Sequence, residues 1–163
     1  MKKLLLIFLL LASSLYADAF DKGNVGIGII VGSGSITSNN EQKNYTIFGA
    51  NVNYFIENGL SLGVSYTSWT GNSPSINEFA FPLTYYFDFD DTYRPYLGIF
   101  YKYTSIGSPY SNYSSYGGRA GLTAKISKNA YIGAGVVQEY YSDCSNFKEC
   151  SSTYPEILVI FTF

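Results

Sequence analysis

The chain of 163 residues is rich in aromatics, with 17 Tyr, 12 Phe and one Trp, and poor in charge, with 10 Lys+Arg against 12 Asp+Glu. It holds two cysteines and no histidine, which excludes Ser-His-Asp and Cys-His hydrolase machinery, imidazole general-base catalysis and the usual His-bearing zinc sites, because no other side chain titrates unperturbed near neutral pH. The length is that of one domain, and the reading is of a protein that is no enzyme and needs neither cofactor nor metal.

The first twenty residues are read as lying outside the fold. Lys2 and Lys3 make a basic start, residues 4–12 form an uninterrupted apolar run, and Ser13, Ser14 and Ala17 supply the small residues that precede a signal peptidase cut. Residues 1–17 are therefore expected to be a removed signal peptide and 18–163 a single domain. The apolar run is too short for a membrane anchor. Losing Lys2 and Lys3 leaves 8 basic against 12 acidic residues, a net charge of −4 that makes nucleic acid an improbable partner.

Beyond residue 17 no run of 18 apolar residues occurs, so no transmembrane helix is expected. Apolar and polar residues instead alternate in eight segments, the signature of strands with two unlike faces. Residues 23–35 put Val25, Ile27, Ile29 and Val31 on one face. Residues 45–56 continue it with Phe48, Ala50, Val52 and Tyr54, and Asn58-Gly59 then makes a tight turn. Segments 60–69, 78–89 and 93–105 follow, with Leu62, Val64, Phe79, Phe81, Leu97 and Ile99 on the same face. Segments 116–126, 130–141 and 153–163 complete the set with Tyr116, Leu122, Ile132, Val136, Ile157 and Phe161. Connections 57–59, 90–92 and 127–129 are tight, whereas 36–44, 70–77, 106–115 and 142–152 are longer.

Which face is inside decides the solvent. A soluble, lipocalin-like periplasmic ligand-binding barrel would hide the apolar face and show water the other. That other face is made of Gly, Ser, Thr and Asn with isolated charges at Lys102, Arg119, Lys125, Glu139 and Glu156, which suits a narrow interior. The apolar face, with Tyr and Phe near the strand ends, suits lipid. The predicted fold is thus all-β: an eight-stranded antiparallel up-and-down transmembrane β-barrel. Closure leaves no strand edge unpaired in hydrocarbon. Short turns on one side and longer loops on the other place both termini in the periplasm.

Charges in so narrow a lumen are expected to pair, for example Arg119 with Glu139. They form either an ion-pair core that plugs the barrel or a narrow polar pathway for ions or small solutes. Cys144 and Cys150 share the last long loop of an exported chain, so a disulfide is expected there, either fixing a recognition loop or protecting a hairpin tip from proteolysis. Asp90-Asp91 and the Asp18/Asp21 pair read as turn and tail residues. The loops carry Ser, Asn, Tyr and Gly, adaptable contact residues for an unidentified surface ligand. Asn44-Tyr45-Thr46 and Asn112-Tyr113-Ser114 fit a glycosylation sequon, a short pattern that arises by chance.

Two features carry a family resemblance. The C-terminal run Ile157-Leu158-Val159-Ile160-Phe161-Thr162-Phe163 resembles the final strand by which bacterial outer-membrane barrels are recognised by their assembly machinery, with Phe161 and Phe163 as the signal. Arg94-Pro95-Tyr96-Leu97-Gly98, after a tight turn, is similar to the equivalent segment of OmpA-like barrels. The resemblance implies an OmpA- or OmpX-like barrel of the bacterial outer membrane. It would be a monomer in contact with outer-membrane lipid, lipopolysaccharide and the barrel assembly machinery, with a structural or surface-interaction role. Unlike OmpA, the chain stops at Phe163, which predicts a barrel without a peptidoglycan-binding domain. The lipid-modifying enzymes built on such barrels rely on His, which this chain lacks.

Overall fold

Strands with one large apolar face and one face of small residues close on the small side, because Gly, Ser and Thr allow the tight curvature of a narrow barrel. A computed structural model describes residues 18–38, 41–108, 111–142 and 150–163. Eight strands follow one another: β1 (Val25–Ser38), β2 (Glu41–Glu57), β3 (Leu60–Thr70), β4 (Ile76–Tyr86), β5 (Tyr93–Ile106), β6 (Tyr113–Ser127), β7 (Ala130–Tyr141) and β8 (Ser151–Thr162). Each pairs antiparallel with the next, and β1 with β8 closes the barrel. The expected signal peptide, residues 1–17, lies outside the described residues.

Sequence and structure differ at the strand ends. β1 and β2 stay in register as far as Ser38↔Glu41, so most of the expected 36–44 loop is an extended hairpin. In the same way β5 and β6 pair out to Thr104↔Tyr113. β4 stops at Tyr86, three residues earlier than expected, and Phe87 closes the turn by donating its N–H to the Pro95 carbonyl at 2.8 Å.

Two proline positions mark weak points in the ladders. Pro82 has no N–H, and the β3–β4 register skips from Leu62↔Leu83 to Ser65↔Ala80 beside it. Pro155 lies on β8, and the β1–β8 ladder has three registered pairs only, Gly26↔Thr162, Ile27↔Phe161 and Gly28↔Ile160. Every other neighbouring pair of strands is matched along most of its length.

The apolar face is the outside. Ile29, Phe48, Val52, Leu62, Phe81, Leu97, Ile99 and Val136 are all more than half exposed. The core is the lumen, and its base is closed by a residue from before β1. Phe20, 1% exposed, inserts from the N-terminal segment and packs against Tyr86, Tyr131 and Phe55, with ring centroids at 4.6, 4.7 and 5.5 Å. The reading that placed the first twenty residues outside the fold is thus corrected for Ala19 and Phe20. One aromatic ring between two aspartates carries no periodicity by which to be recognised. Gly59, at φ +76°, gives the β2–β3 turn its shape and donates its N–H to the Phe20 carbonyl at 2.8 Å, which ties the segment in place.

Candidate functional site: the charged lumen

Inward positions repeat every second residue on all eight strands, so charges remote in sequence are stacked in three layers along the lumen. At the base, Arg94 at the start of β5 is buried. Its guanidinium meets Asp18 at 2.5 Å and Asp88 at 3.0 Å, and its Cζ lies 5.3 Å from the Phe20 ring centre. Asp18 is therefore an ion-pair partner rather than a tail residue. It also accepts the Phe20 N–H through Oδ1 at 3.1 Å, which shapes the segment that carries the plug.

In the middle layer, Arg119 on β6 grips Glu156 on β8 with two donors, Nη2 at 2.8 Å and Nε at 3.0 Å. The Tyr96 hydroxyl donates to the same carboxylate at 2.7 Å, while the Tyr96 ring lies 5.5 Å from the Arg119 Cζ. Glycine makes this layer possible. A Cβ at Gly121 or Gly135 would collide with the Tyr96 hydroxyl, so the ring can cross the lumen only where these side chains are missing.

The upper layer is built on Lys102 of β5, which sits between Glu139 of β7 at 2.7 Å and Glu78 of β4 at 3.1 Å. Ser115 and Tyr154 donate hydroxyls to Glu139 at 2.5 and 2.9 Å, and the Trp69 indole donates to Glu78 at 3.1 Å. Each buried carboxylate thus faces a cation and at least one further donor, the condition under which charge is tolerated away from water.

The expected partners are corrected. Arg119 pairs with Glu156 and not with Glu139, which belongs to Lys102. In the β6–β7 register Arg119 stands opposite Val137, while Glu156 stands opposite Gly135, itself opposite Gly121; the guanidinium reaches Glu156 diagonally across this glycine gap. Lys125 differs as well. It keeps the inward register, opposite Tyr131, but lies at the end of β6 and is exposed at the base end of the barrel. Glu78, Arg94 and Asp18 complete the layers, and the sequence reading counts none of them among the lumen charges: it takes Arg94 only as the start of the family-like segment and Asp18 as a tail residue. The inward parity of Glu78 was a usable signal; for Asp18 there was none.

Phe161 points outward, and its backbone lies opposite Ile27 in the closing ladder, beside which Phe163 and Val25 exchange two backbone hydrogen bonds at 2.9 and 3.0 Å. In the last loop Cys144 lies outside the described residues. Cys150 precedes β8, where its carbonyl accepts the Tyr141 N–H at 2.9 Å.

Above the base the lumen encloses a cavity of about 560 Å³. Trp69, Ile76 and Tyr141 border it at the loop end and Tyr86 and Ile160 lower down, with Lys102 and Arg119 between. What this arrangement does chemically is hold charge in place. The Lys102 ammonium is held between two carboxylates, and the Arg119 guanidinium is held by both oxygens of one.

No family model matches the chain, and no curated protein does. Solved structures are similar in fold. The N-terminal β-barrel domain of Pseudomonas aeruginosa OprF matches with a TM-score of 0.62 at 18% identity, over 87% of this chain and 98% of that one. Neisserial surface protein A matches at 0.58 and 18%, over 85% and 94%. Ail, the attachment invasion locus protein of Yersinia pestis, matches at 0.50 and 14%, over 87% and 99%. The fold is that of eight-stranded outer-membrane barrels.

Proposed function

We propose that this protein is a bacterial outer-membrane β-barrel with a structural or surface-interaction role exercised through its loops, and neither an enzyme nor a channel. The observation that carries this reading is the lumen. Phe20 seals the base, and above it Lys102 is locked between two carboxylates and Arg119 onto a third, which leaves little for diffusion through the barrel. The apolar exterior supports a location in lipid and argues against the water-soluble ligand-binding barrel, because an aliphatic and aromatic band of this extent would aggregate in water.

With that location come the remaining parts of the proposal. Residues 1–17 are a removed signal peptide, the termini and tight turns face the periplasm, and Phe161 and Phe163 present the C-terminal signal to the assembly machinery. Outer-membrane lipid and lipopolysaccharide surround a monomer. Cys144 and Cys150 are joined in the last surface loop; no described cysteine is a free thiol, which supports this. Two of the similar barrels are named for a surface location and for attachment and invasion, the same class of role.

Planar-bilayer recording on folded, heat-modifiable protein tests the reading, with Arg119→Ala alongside. The wild-type protein is expected to be silent. Steady openings that change with Arg119→Ala would replace the structural role by a narrow pore for ions or small solutes.

A further inference from the structure

The wall of the barrel is incomplete on one side. Val25 and Phe163 exchange both backbone hydrogen bonds, so every second residue beyond them turns its N–H and C=O toward the seam: Ile27 and Phe161, Ile29 and Val159, Val31 and Ile157, then Ser33 and Pro155. Among the described residues, however, the ladder ends at Gly28↔Ile160. The sequence supports an open edge, because Pro155 has no N–H to give at a position where a continued ladder would need one. Its pairing with Val136 on the other side is untouched.

Two further observations describe what the gap joins. Val31 and Ile157, 67% and 71% exposed, are the barest of the described aliphatic side chains on the strands, as expected of residues that have lost their neighbour across a ladder. Both belong to the outward apolar face, yet both also border the 560 Å³ cavity that contains Lys102 and Arg119. The cavity therefore opens sideways, onto the face that meets hydrocarbon, and its volume lies in the range of about 300–1,000 Å³ typical of small-molecule sites.

From this geometry we infer that the β1–β8 seam is a lateral port through which a single-chain amphiphile from the surrounding membrane seats its polar head in the lumen, with its alkyl chain lying along Val31 and Ile157. The edge groups of Ile29, Val31, Ile157 and Val159 cannot be left unpaired against hydrocarbon, and a hydroxylated head satisfies them where a bare alkyl chain cannot. The head is uncharged. Two cations face three carboxylates in the cavity, so an anionic head would add to an excess of negative charge already present. An added strand from a second copy fits less well, since Pro155 would leave its acceptor unpaired.

The probe is a long-chain alcohol carrying a diazirine on the carbon beside its hydroxyl group, photolysed with the folded protein in phosphatidylcholine vesicles and mapped by peptide mass spectrometry. Adducts are expected on inward residues of the cavity, Glu156, Tyr154 and Ile160, besides those on the outer face. In the variant Ile29→Cys with Val159→Cys, oxidation across the first missing pair is expected to abolish the inward adducts and leave the outer ones. Adducts on outward residues alone overturn the port. Inward adducts that survive oxidation overturn the lateral route in favour of the loop end, and a dimer cross-linked through Ile157→Cys would assign the edge to a second copy. The wild-type labelling pattern decides the matter even if the double variant does not fold.

Discussion

Arg119 illustrates how a single residue is both legible and illegible in sequence. Its inward position follows from the parity of β6, but its partner depends on how far β8 is displaced along the barrel, a quantity that alternation does not contain. The structure makes Glu156 the dependent member, because removing Arg119 leaves a carboxylate with only the Tyr96 hydroxyl among its described contacts. Arg119→Ala should therefore cost about 3–5 kcal/mol, the range for breaking a buried pair, whereas Arg119→Met combined with Glu156→Leu should be close to neutral. Urea unfolding in lipid vesicles, followed by tryptophan fluorescence from Trp69, checks both. A stability loss in the double variant as large as in the single one would contradict the argument.

Asp90 is the corresponding case outside the barrel wall. The Thr92 N–H donates to its Oδ1 at 2.5 Å and the Tyr93 N–H at 3.3 Å, and these bonds, Thr92 first, hold its carboxyl below the usual range. A carboxylate depressed in the folded state stabilises the turn above its unfolded pKa, near 3.9, and loses that contribution as pH falls through the folded value. Relative to its intrinsic rate, the Thr92 amide should be protected from exchange at neutral pH and lose that protection at the acid end. In Asp90→Ala that protection should be absent throughout, as a hydrogen-exchange series from pH 7 downward, referred to intrinsic rates, would read.

At the scale of elements, the eight strands were legible because each buries one face against small side chains and exposes the other. Their ends were not. β1 and β2 run past the apolar band on Ser, Thr, Gln and Glu, and a polar strand has no alternation to display. Turns were legible where conformation forces composition. Gly59 holds φ +76° and has the Tyr86 carbonyl where a Cβ would sit, so Gly59→Ala should lower stability by at least about 1 kcal/mol and disturb the seat of Phe20. The N-terminal segment was the least legible element, since its folding depends on Phe20 finding Phe55, Tyr86 and Tyr131, contacts made by three different strands. Phe20→Ala should cost about 3–5 kcal/mol by opening a cavity at the barrel base, measurable by the same unfolding assay.

For the whole molecule, fold class followed from deciding which face meets the solvent, and that decision rested on where the glycines and the charges lie. Function was less legible, because the residues that plug a lumen and those that would line a pathway are of the same kind; only their pairing separates the two. Closure of the barrel yields a prediction at this scale. Unheated protein in dodecyl sulfate should migrate faster than boiled protein, and a water-soluble barrel would show no such difference. Equal migration from protein shown to be folded would count against the membrane barrel.

The short ladder between β1 and β8 also has a consequence in time. Seven of the eight strand pairings are hairpins between sequence neighbours, but the closing one joins Ile27 to Phe161, 134 positions apart, through three registered pairs. Contacts that close the longest loop for the fewest bonds form last and give least in return. During refolding, seven linked hairpins should assemble as an open sheet before the ring shuts. On unfolding the ring should part along the same line, so the meeting place of the first and last strands sets the lifetime of the native state.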